Sequence, residues 1–511
     1  MMKKLVILIL LFNASLFTFA NPIVICDTTN IDGKRVLYLA ADDFENGFNY
    51  GLFFGEQIKN MFENYVITKT FGGAYGYNLA RDIFDQKFTV DEKYIEISQG
   101  MILGITAAGV SLYSPTLNDT INYKDVLIAN SIPDFTAFFK SWNNKGPGCS
   151  ELASWGDATL GDPNLNGSTV ICRQLDWDND PLLIENALMI IWEKSSPDRQ
   201  RITTFGFTGM IGALSGYNES GVVTFQNMGN YYEVPSGNSF YPVNLAQRNG
   251  LEAIDYNDDG VCSPRDVTDA VREHNVASTY IITTAGPQAF EPPVEILEIH
   301  NSLGDTIRTT AQNPDYFGDN LIATNHFRLL MPPSYCYRYK RISDSLTVSN
   351  QVSLERNWNI MKTAGVPVNL QTIQYVPDQH ILRFSFAVTG TPAYLLQPSE
   401  IFTDTLYLPV GLRNWTKNEK NTQISVYPNP ANRKTTILLN FKEPGTFNCF
   451  VTDVTGNIVF DFGKLTADNE KINLTWNTKN ISNGIYFFNL FYSSGISHKQ
   501  EKAVEKIMIS H

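Results

Sequence analysis

The sequence predicts an α+β fold, followed by a small all-β sandwich at the C-terminus. Three observations carry that expectation. The 511-residue chain is too long for one ordinary domain. Its first quarter reads mainly helical, and from Cys149 the text turns to strands interrupted by single helices. Beyond a polar stretch at 412–423, apolar and polar residues alternate, with turns about every ten residues.

Residues 1–20 run "MMKKLVILILLFNASLFTFA", with Lys3 and Lys4 before an apolar core that ends in a small residue. That is the pattern of a secretory signal peptide, with an uncleaved anchor as the competing reading. No later stretch is apolar for long enough to span a bilayer, so no transmembrane segment is expected after signal removal.

Residues 21–148 form the second segment, a helical pro-region. "ENGFNYGLFFGEQIKNMFENY" carries apolar residues at helical spacing, with Gly47, Gly51 and Gly55 in register. Such a row lets a helix approach its neighbour closely. "YIEISQGMILGITAAGVSL" reads the same way, and "NKGPG" then breaks the pattern.

Residues 149–411 form the third segment. "STVICRQLDWD", "ALMIIWEKS", "RITTFGFTGMIGALSGYNESGVVTFQNMG" and "STYIITTA" are β-rich and bounded by turn residues. "SPRDVTDAVREHN" is a helix opened by Ser263-Pro264. "LIATNHFRLL" reads as a further strand, and "LQTIQYVPDQHILRFSFAVTG" as a hairpin turning at "PDQ". The polar run 412–423 is a linker, and 424–511 is the sandwich.

Net charge is −13 and the pI about 5.0, which argues against a nucleic-acid partner. The six cysteines are sparse and form no CxxC, so neither a disulfide scaffold nor a zinc ribbon is expected. Their pairing is open. GxSxG, HExxH, Walker A and GxGxxG are all absent, which removes support for serine hydrolase, zincin and nucleotide-binding readings.

One cysteine opens the strand-rich segment. A thiolate is a strong nucleophile, but a free thiol needs a base near neutral pH. No histidine is an evident partner for Cys149. Its own α-amino group would serve if Cys149 became the first residue of a chain. Gly148 before it suits a scissile position, because glycine tolerates the backbone geometry of an attack by the next side chain. Taken alone, a cysteine after glycine is more often a core residue.

The surrounding text resembles the Ntn hydrolases of the isopenicillin N acyltransferase type, whose relatives include penicillin V acylase, bile salt hydrolase and acid ceramidase. The resemblance rests on "GCSELASWGDAT … STVICRQLDWD", on "GYNESGV", on "ATNHF" and on "SYCYRYKRI", in that order over about Glu45 to Thr389. Cys172 and Gln174 depart from the usual Gly and Asn. The resemblance implies a four-layer αββα core and autocleavage between Gly148 and Cys149. It also implies a linear amide, small-molecule substrate taken through a thioester, by hydrolysis or acyl transfer.

The same resemblance implies roles. Cys149 is the nucleophile. Asp176 is expected to hold the freed amine by a charge-assisted hydrogen bond. Arg173 is expected to stabilise the thiolate or a substrate carboxylate, and would share Asp176's direction only on a bulged strand. A structural ion pair competes with both. Asn325 and Asn218 are candidate amide donors to the oxyanion, with loop and hairpin-turn roles as their alternatives. Arg338 is expected to orient Asn325 or the substrate, with an ordinary surface Arg as its alternative. No cofactor is expected for catalysis. Two rival functions stay open: a lipid acyl-ester hydrolase of the phospholipase-B-like kind, and a non-catalytic surface binding protein.

"DYNDDGVCSPRD" has EF-hand spacing and resembles a dockerin calcium loop. Asp255, Asn257, Asp259, the Val261 carbonyl and Asp266 are the expected ligands of a structural Ca2+, with Gly260 at the sharp turn. An acidic loop capping the following helix is the alternative. At the C-terminus "VYPNPA", "VTDVTGNIV", "NGIYFF" and "EKIMIS" resemble the sorting domain of type IX secretion cargo. That implies contact with the type IX machinery and a secreted or cell-surface protein, with an adhesive or carbohydrate-binding sandwich as the alternative.

Overall fold

The computed structural model describes residues 25–139, 148–231, 233–313, 315, 317–407, 422–441, 443–452, 458–467, 471–494, 500–509 and 511. The signal peptide, nearly all of the linker and the residues just before Gly148 lie outside them. The chain divides into two compact units, residues 1–413 and 414–511.

The first unit opens with strands rather than a helix, which corrects the helical reading of 21–148. β1 (Ile25–Ile31) and β2 (Lys34–Leu39) are antiparallel. They turn at Asp32 and Gly33, whose φ values are +50° and +77°. A two-residue Asp-Gly turn with both φ positive matches the right-handed twist of its flanking strands. β2 then pairs in parallel with β7 (Ala187–Trp192), so the N-terminal segment is woven into the main sheet.

Helices follow: α1 (Asp43–Asn60), a π-helical turn at Met61–Thr70, α2 (Ala74–Lys87) and α3 (Glu92–Ala107). After the short ladder of β3 (Tyr113–Ser114) and β4 (Asp119–Thr120) come α4 (Tyr123–Asn130) and α5 (Ile132–Phe135). The glycine row does what its spacing predicts. A Cβ on Gly51 would sit 2.0 Å from the Met101 carbonyl oxygen, and one on Gly104 would sit 2.0 Å from that of Phe48. The backbones of α1 and α3 are therefore in contact, and no side chain fits between them.

β5 (Gly148–Ser154) and β6 (Val170–Asp176) form an antiparallel pair. α6 (Pro181–Glu185), β7, β8 (Ile202–Phe207), β9 (Ser215–Asn218) and β10 (Val223–Met228) come next. Then follow α7 (Val243–Glu252), α8 (Pro264–Arg272), β11 (Thr279–Ala285), β12 (Val294–His300), β13 (Gly304–Arg308) and β14 (Asn320–Ala323). α9 (Tyr337–Val348), α10 (Leu354–Thr363), β15 (Asn369–Val376), β16 (Ile381–Phe386) and β17 (Ser399–Phe402) complete the unit. The β15–β16 turn at Pro377–Gln379 is where the sequence puts it, closed by His380 at φ +55°.

The strands make a nine-stranded sheet, β1-β2-β7-β8-β9-β10-β11-β12-β13, and a six-stranded sheet, β14-β5-β6-β15-β16-β17. Side-chain alternation on β6 shows what each face meets. Arg173 reaches the carbonyls of Leu214 and Gln226, beside the nine-stranded sheet. Gln174, its neighbour, donates to the Met361 carbonyl on α10 at 3.0 Å. On β10, Phe225 lies under the Arg173 guanidinium, while Thr224 accepts from Gln247 on α7.

The second unit holds β18 (Thr422–Tyr427), β19 (Lys434–Phe441), β20 (Gly445–Thr452), β21 (Ile458–Ala467), β22 (Lys471–Asn477), β23 (Gly484–Ser494) and β24 (Gln500–Ile509). They form sheets β18-β19-β22 and β21-β20-β23-β24, with Trp476, Phe447 and Phe488 buried among their core residues. No helix among the described residues is long and apolar enough to cross a membrane.

Candidate active site

Cys149 is the second residue of β5, fully buried and opposite Leu175 of β6. Each of its three polar groups has a partner. Its backbone N–H donates to Asn325 Oδ1 at 2.9 Å. Its carbonyl accepts from Arg338 Nη1 at 2.6 Å. Arg173 Nη2 lies 3.4 Å from its Sγ.

Arg173 and Asp176 leave β6 on opposite faces. The β5–β6 ladder is regular, and the irregularity lies in β15 between Asn369 and Gln371. Arg173 is buried between the sheets, fixed by the Leu214 and Gln226 carbonyls at 3.2 and 2.6 Å and by Ser215 Oγ. Asp176 pairs with Gly148 in the ladder. Its carboxylate accepts from Arg338 Nη1 at 3.1 Å and from Asn369 Nδ2 at 3.0 Å. The Cys149 nitrogen is thus held by Asn325 in the uncleaved chain, and Asp176 reaches the site through Arg338.

Arg338 is the hub. One guanidinium contacts the Cys149 carbonyl, Asp176 and Asn325 Oδ1. A Cβ at Gly148 would meet its Nη1, Nη2 and Cζ at 3.0, 3.1 and 3.2 Å. A side chain at 148 would press on that guanidinium, which favours glycine there, an argument the sequence alone did not supply.

Two expectations change. Asn325 donates its Nδ2–H to the Met228 carbonyl at 2.7 Å and turns Oδ1 to Cys149, so it acts as an acceptor there. Asn218 is not at the site. Its Nδ2 donates to the Leu251 carbonyl, and its Oδ1 accepts from Val222 N at 2.9 Å. It closes the "NESG" turn, the chemistry that Asn side chains do well in turns.

Sequence reasoning passed over Glu151. It follows Cys149 by two residues on the same face of β5, opposite Arg173. Its Oε1 is 3.4 Å from Arg173 Nε, and Asn227 Nδ2 donates to Oε2. The signal was a lone carboxylate in "CSELAS", a strand that is otherwise small and apolar. Asn369, which holds Asp176, carried no such signal.

Burial dominates the electrostatics. It pushes the Cys149 thiol up to about 11, against the pull of Arg173. It lifts Asp176 to about 6, opposed first by Arg338, and Glu151 to about 8, opposed first by Arg173. A second thiol behaves differently. Cys336, at the N-terminus of α9, is lowered to about 6; burial raises it, and hydrogen bonds from His326, the Tyr339 amide and Thr324 outweigh that.

The first unit holds an apolar cavity of about 60 Å3. Leu214, whose carbonyl anchors Arg173, lines it with Trp177, Phe207 and Met210. Its opposite wall comes from the N-terminal segment, through Met61, Phe62 and Ile132.

The expected calcium loop has the predicted turn, with Gly260 at φ +89°. Its carboxylates are engaged with backbone. Asp255 accepts from Gly260 N at 2.7 Å, Asp259 from Val261 N at 2.9 Å, and Asp266 from Ser263 N and Tyr256 N, both at 2.6 Å. Among the described residues no three His, Cys, Asp or Glu side chains converge as a metal cage. The five cysteines other than Cys26 are free thiols, and the Cys26 side chain lies outside the description.

Residues 425–510 match the secretion system C-terminal sorting domain. The chain is exported through type IX secretion to the cell surface or beyond, and the sorting domain implies interaction with that machinery. A Dictyostelium discoideum protein, dcd1B, is 21% identical over 226 residues, 39% of this chain and 41% of that protein. The match thus spans less than half the length of this curated relative. Among solved structures, a Caenorhabditis elegans N-acylethanolamine-hydrolyzing acid amidase ortholog aligns at TM-score 0.33 and 15% identity, over 45% of this chain and 93% of its own. A mutant conjugated bile acid hydrolase from Clostridium perfringens aligns at TM-score 0.30 and 14% identity, over 50% and 92%.

Proposed function

We propose that the first unit is a self-processing Ntn amidohydrolase of αββα layering, in the isopenicillin N acyltransferase-type family, and that it cleaves acyl amides with Cys149. The observation that carries this is the placement of Cys149 at a strand start, with separate polar partners for its nitrogen, sulfur and carbonyl. A structural core cysteine has no need of an Arg on its sulfur and another on its carbonyl.

Processing begins when Cys149 Sγ attacks the Gly148 carbonyl carbon. The Gly148–Cys149 C–N bond breaks, a Gly148 thioester forms on Sγ, and the departing nitrogen takes a proton to become the α-amine. Water then hydrolyses the thioester, leaving a Gly148 carboxylate and a free thiol. The new amine, with an ordinary pKa of about 7.7–8.0, becomes the base for the same thiol. Arg173 stabilises thiolate character, and Arg338 with Asn325 fixes the terminus. With substrate, Sγ takes the acyl group as a thioester, the amine part leaves protonated, and water or an acceptor amine releases the acyl group.

The apolar cavity wall of Met61, Phe62, Trp177, Phe207 and Leu214 favours an apolar group on the substrate, with room at about 60 Å3 for only a small part of it. The N-terminal segment would stay attached after cleavage. β2 is hydrogen-bonded to β7, and Lys93 pairs with Glu252 at 2.8 Å. Structural calcium at Asp255, Asn257, Asp259, Val261 and Asp266 belongs to the same proposal. It rests on donor type and turn geometry, and requires the carboxylates to leave their backbone partners.

The test is turnover by processed protein of matched medium-chain acyl amides and acyl esters, beside Cys149→Ser. Amide turnover lost in the variant supports the proposal. Turnover of the ester alone moves the protein to the lipid-esterase reading, and turnover of neither to the binding-protein reading.

A further inference from the structure

Glu151 is an ionisable side chain in contact with Arg173 that processing and acyl transfer leave unused. Strand register puts it there: Cys149 and Glu151 share a face of β5, and Glu151 stands directly opposite Arg173. Both side chains are almost wholly inaccessible to solvent. Yet their contact is incomplete. Glu151 Oε1 and Arg173 Nε are 3.4 Å apart, and each is a buried atom with no hydrogen bond. Arg173 spends its other nitrogens on Leu214, Gln226, Ser215 and the Cys149 sulfur. One guanidinium therefore serves two acids, a carboxyl and a thiol, in a low-dielectric space where a single charge has a large effect.

We propose that Glu151 is a positioning residue that governs how much of Arg173's charge reaches Cys149. As a neutral acid it leaves the guanidinium to the thiolate. As a carboxylate it takes that charge for itself and opposes ionisation of Cys149. The groups around it are few. β6 presents Arg173, and β10 presents the Asn227 amide, which also reaches the Thr324 carbonyl after β14. Cys149 shares its strand, and Asp176 and Arg338 act on it through space. Burial favours the neutral form up to about pH 8, and the Glu151 carboxylate raises the Cys149 thiol. The sign follows. Below about pH 8 Arg173 serves Cys149, and above it the thiol becomes harder to ionise. Activity acquires a descending alkaline limb set by Glu151.

The proposal rests on the hydrolase reading only for its activity readout, so the experiment has a second one. Processed wild type and Glu151→Gln are compared from pH 6 to 10 in kcat/KM for an acyl amide. In parallel, the rate of Cys149 alkylation by iodoacetamide is followed by peptide mass. Wild type is expected to lose activity above pH 8 and to show an inflection there in its alkylation curve. Glu151→Gln is expected to lack the inflection and to retain a several-fold larger share of its pH 7 activity at pH 9. Glu151→Asp, which keeps a carboxylate, should restore a descending limb. Identical limbs in wild type and Glu151→Gln, or no wild-type inflection between pH 7 and 9, would overturn the proposal. The Cys149 α-amine also titrates at about pH 8, so the wild-type inflection counts for Glu151 only where Glu151→Gln removes it. Glu151→Asp carries the comparison if the Gln variant does not fold, by shifting the limb while the amine stays in place. An alkylation inflection that Glu151→Gln abolishes, without any amide turnover, would sink the hydrolase reading and leave this one standing.

Discussion

Replacing Gly148 by Ala perturbs the site by one methyl group whose surroundings are known. Its Cβ would lie 3.0 Å from Arg338 Nη1 and 3.2 Å from Cζ. The guanidinium must retreat by a few tenths of an ångström to reach ordinary contact. A retreat of that size loosens the 2.6 Å bond to the Cys149 carbonyl and carries the 3.1 Å bond to Asp176 towards the limit of a hydrogen bond. Losing one hydrogen bond from a charged group costs roughly 1.5–3 kcal/mol. If that bond holds the reacting peptide, processing slows by roughly 10- to 150-fold, at 1.36 kcal/mol per tenfold. The assay is the appearance of the new N-terminus in freshly synthesised precursor at fixed pH, with circular dichroism confirming the fold. Processing of Gly148→Ala at the wild-type rate would refute the argument that Arg338 shapes the scissile position.

Other outcomes follow from single features. Asp134 is buried under Tyr280 Oη at 2.6 Å, and burial lifts its carboxyl to about 7, above an unfolded value near 3.9. The folded state binds that proton more tightly, so stability should fall as pH rises from about 4 to about 7 and level off beyond. Asp134→Asn should flatten that slope by on the order of 2–3 kcal/mol in urea unfolding at pH 5 and 7.5, and parallel curves would contradict it. Gly51→Ala should destabilise the first unit by at least about 1–3 kcal/mol, since its Cβ would overlap the Met101 carbonyl, and a thermal melt reads this. In unprocessed protein at pH 7, Cys336 should be alkylated by iodoacetamide ahead of Cys149 and Cys172, by peptide mapping, and equal rates would contradict it. Millimolar Ca2+ should raise the melting temperature of wild type but not of Asp255→Ala, and equal melts with calcium and with chelator would remove the ion.

Much of this was legible in the chain because the signals were local. The glycine row of α1 announced close packing, and the β15–β16 hairpin and the Ser263 cap of α8 were written in a few adjacent residues. The first hairpin was equally local, in "NIDGKRVLYL", but helical periodicity further on overrode it. Cys149, Arg173, Asp176, Asn325 and Arg338 were named from motifs, and the structure gathers them around one peptide bond. The wiring between them was not readable. Whether Asn325 turns its oxygen or its nitrogen to Cys149 depends on the Met228 carbonyl, 97 residues away in sequence. That Asp176 acts through Arg338 depends on a helix 162 residues downstream. Asn218 sits apart from them because its motif is turn chemistry, its oxygen taken by Val222 four residues on and its amide by the Leu251 carbonyl.

The central claim is that Cys149 becomes a chain terminus by its own attack on Gly148. Intact mass and N-terminal sequencing of purified wild type beside Cys149→Ala test it directly. The account predicts two chains in wild type, one beginning at Cys149, and a single uncut chain in the variant. One uncut chain in both, or a cut at Gly148–Cys149 in both, would contradict it.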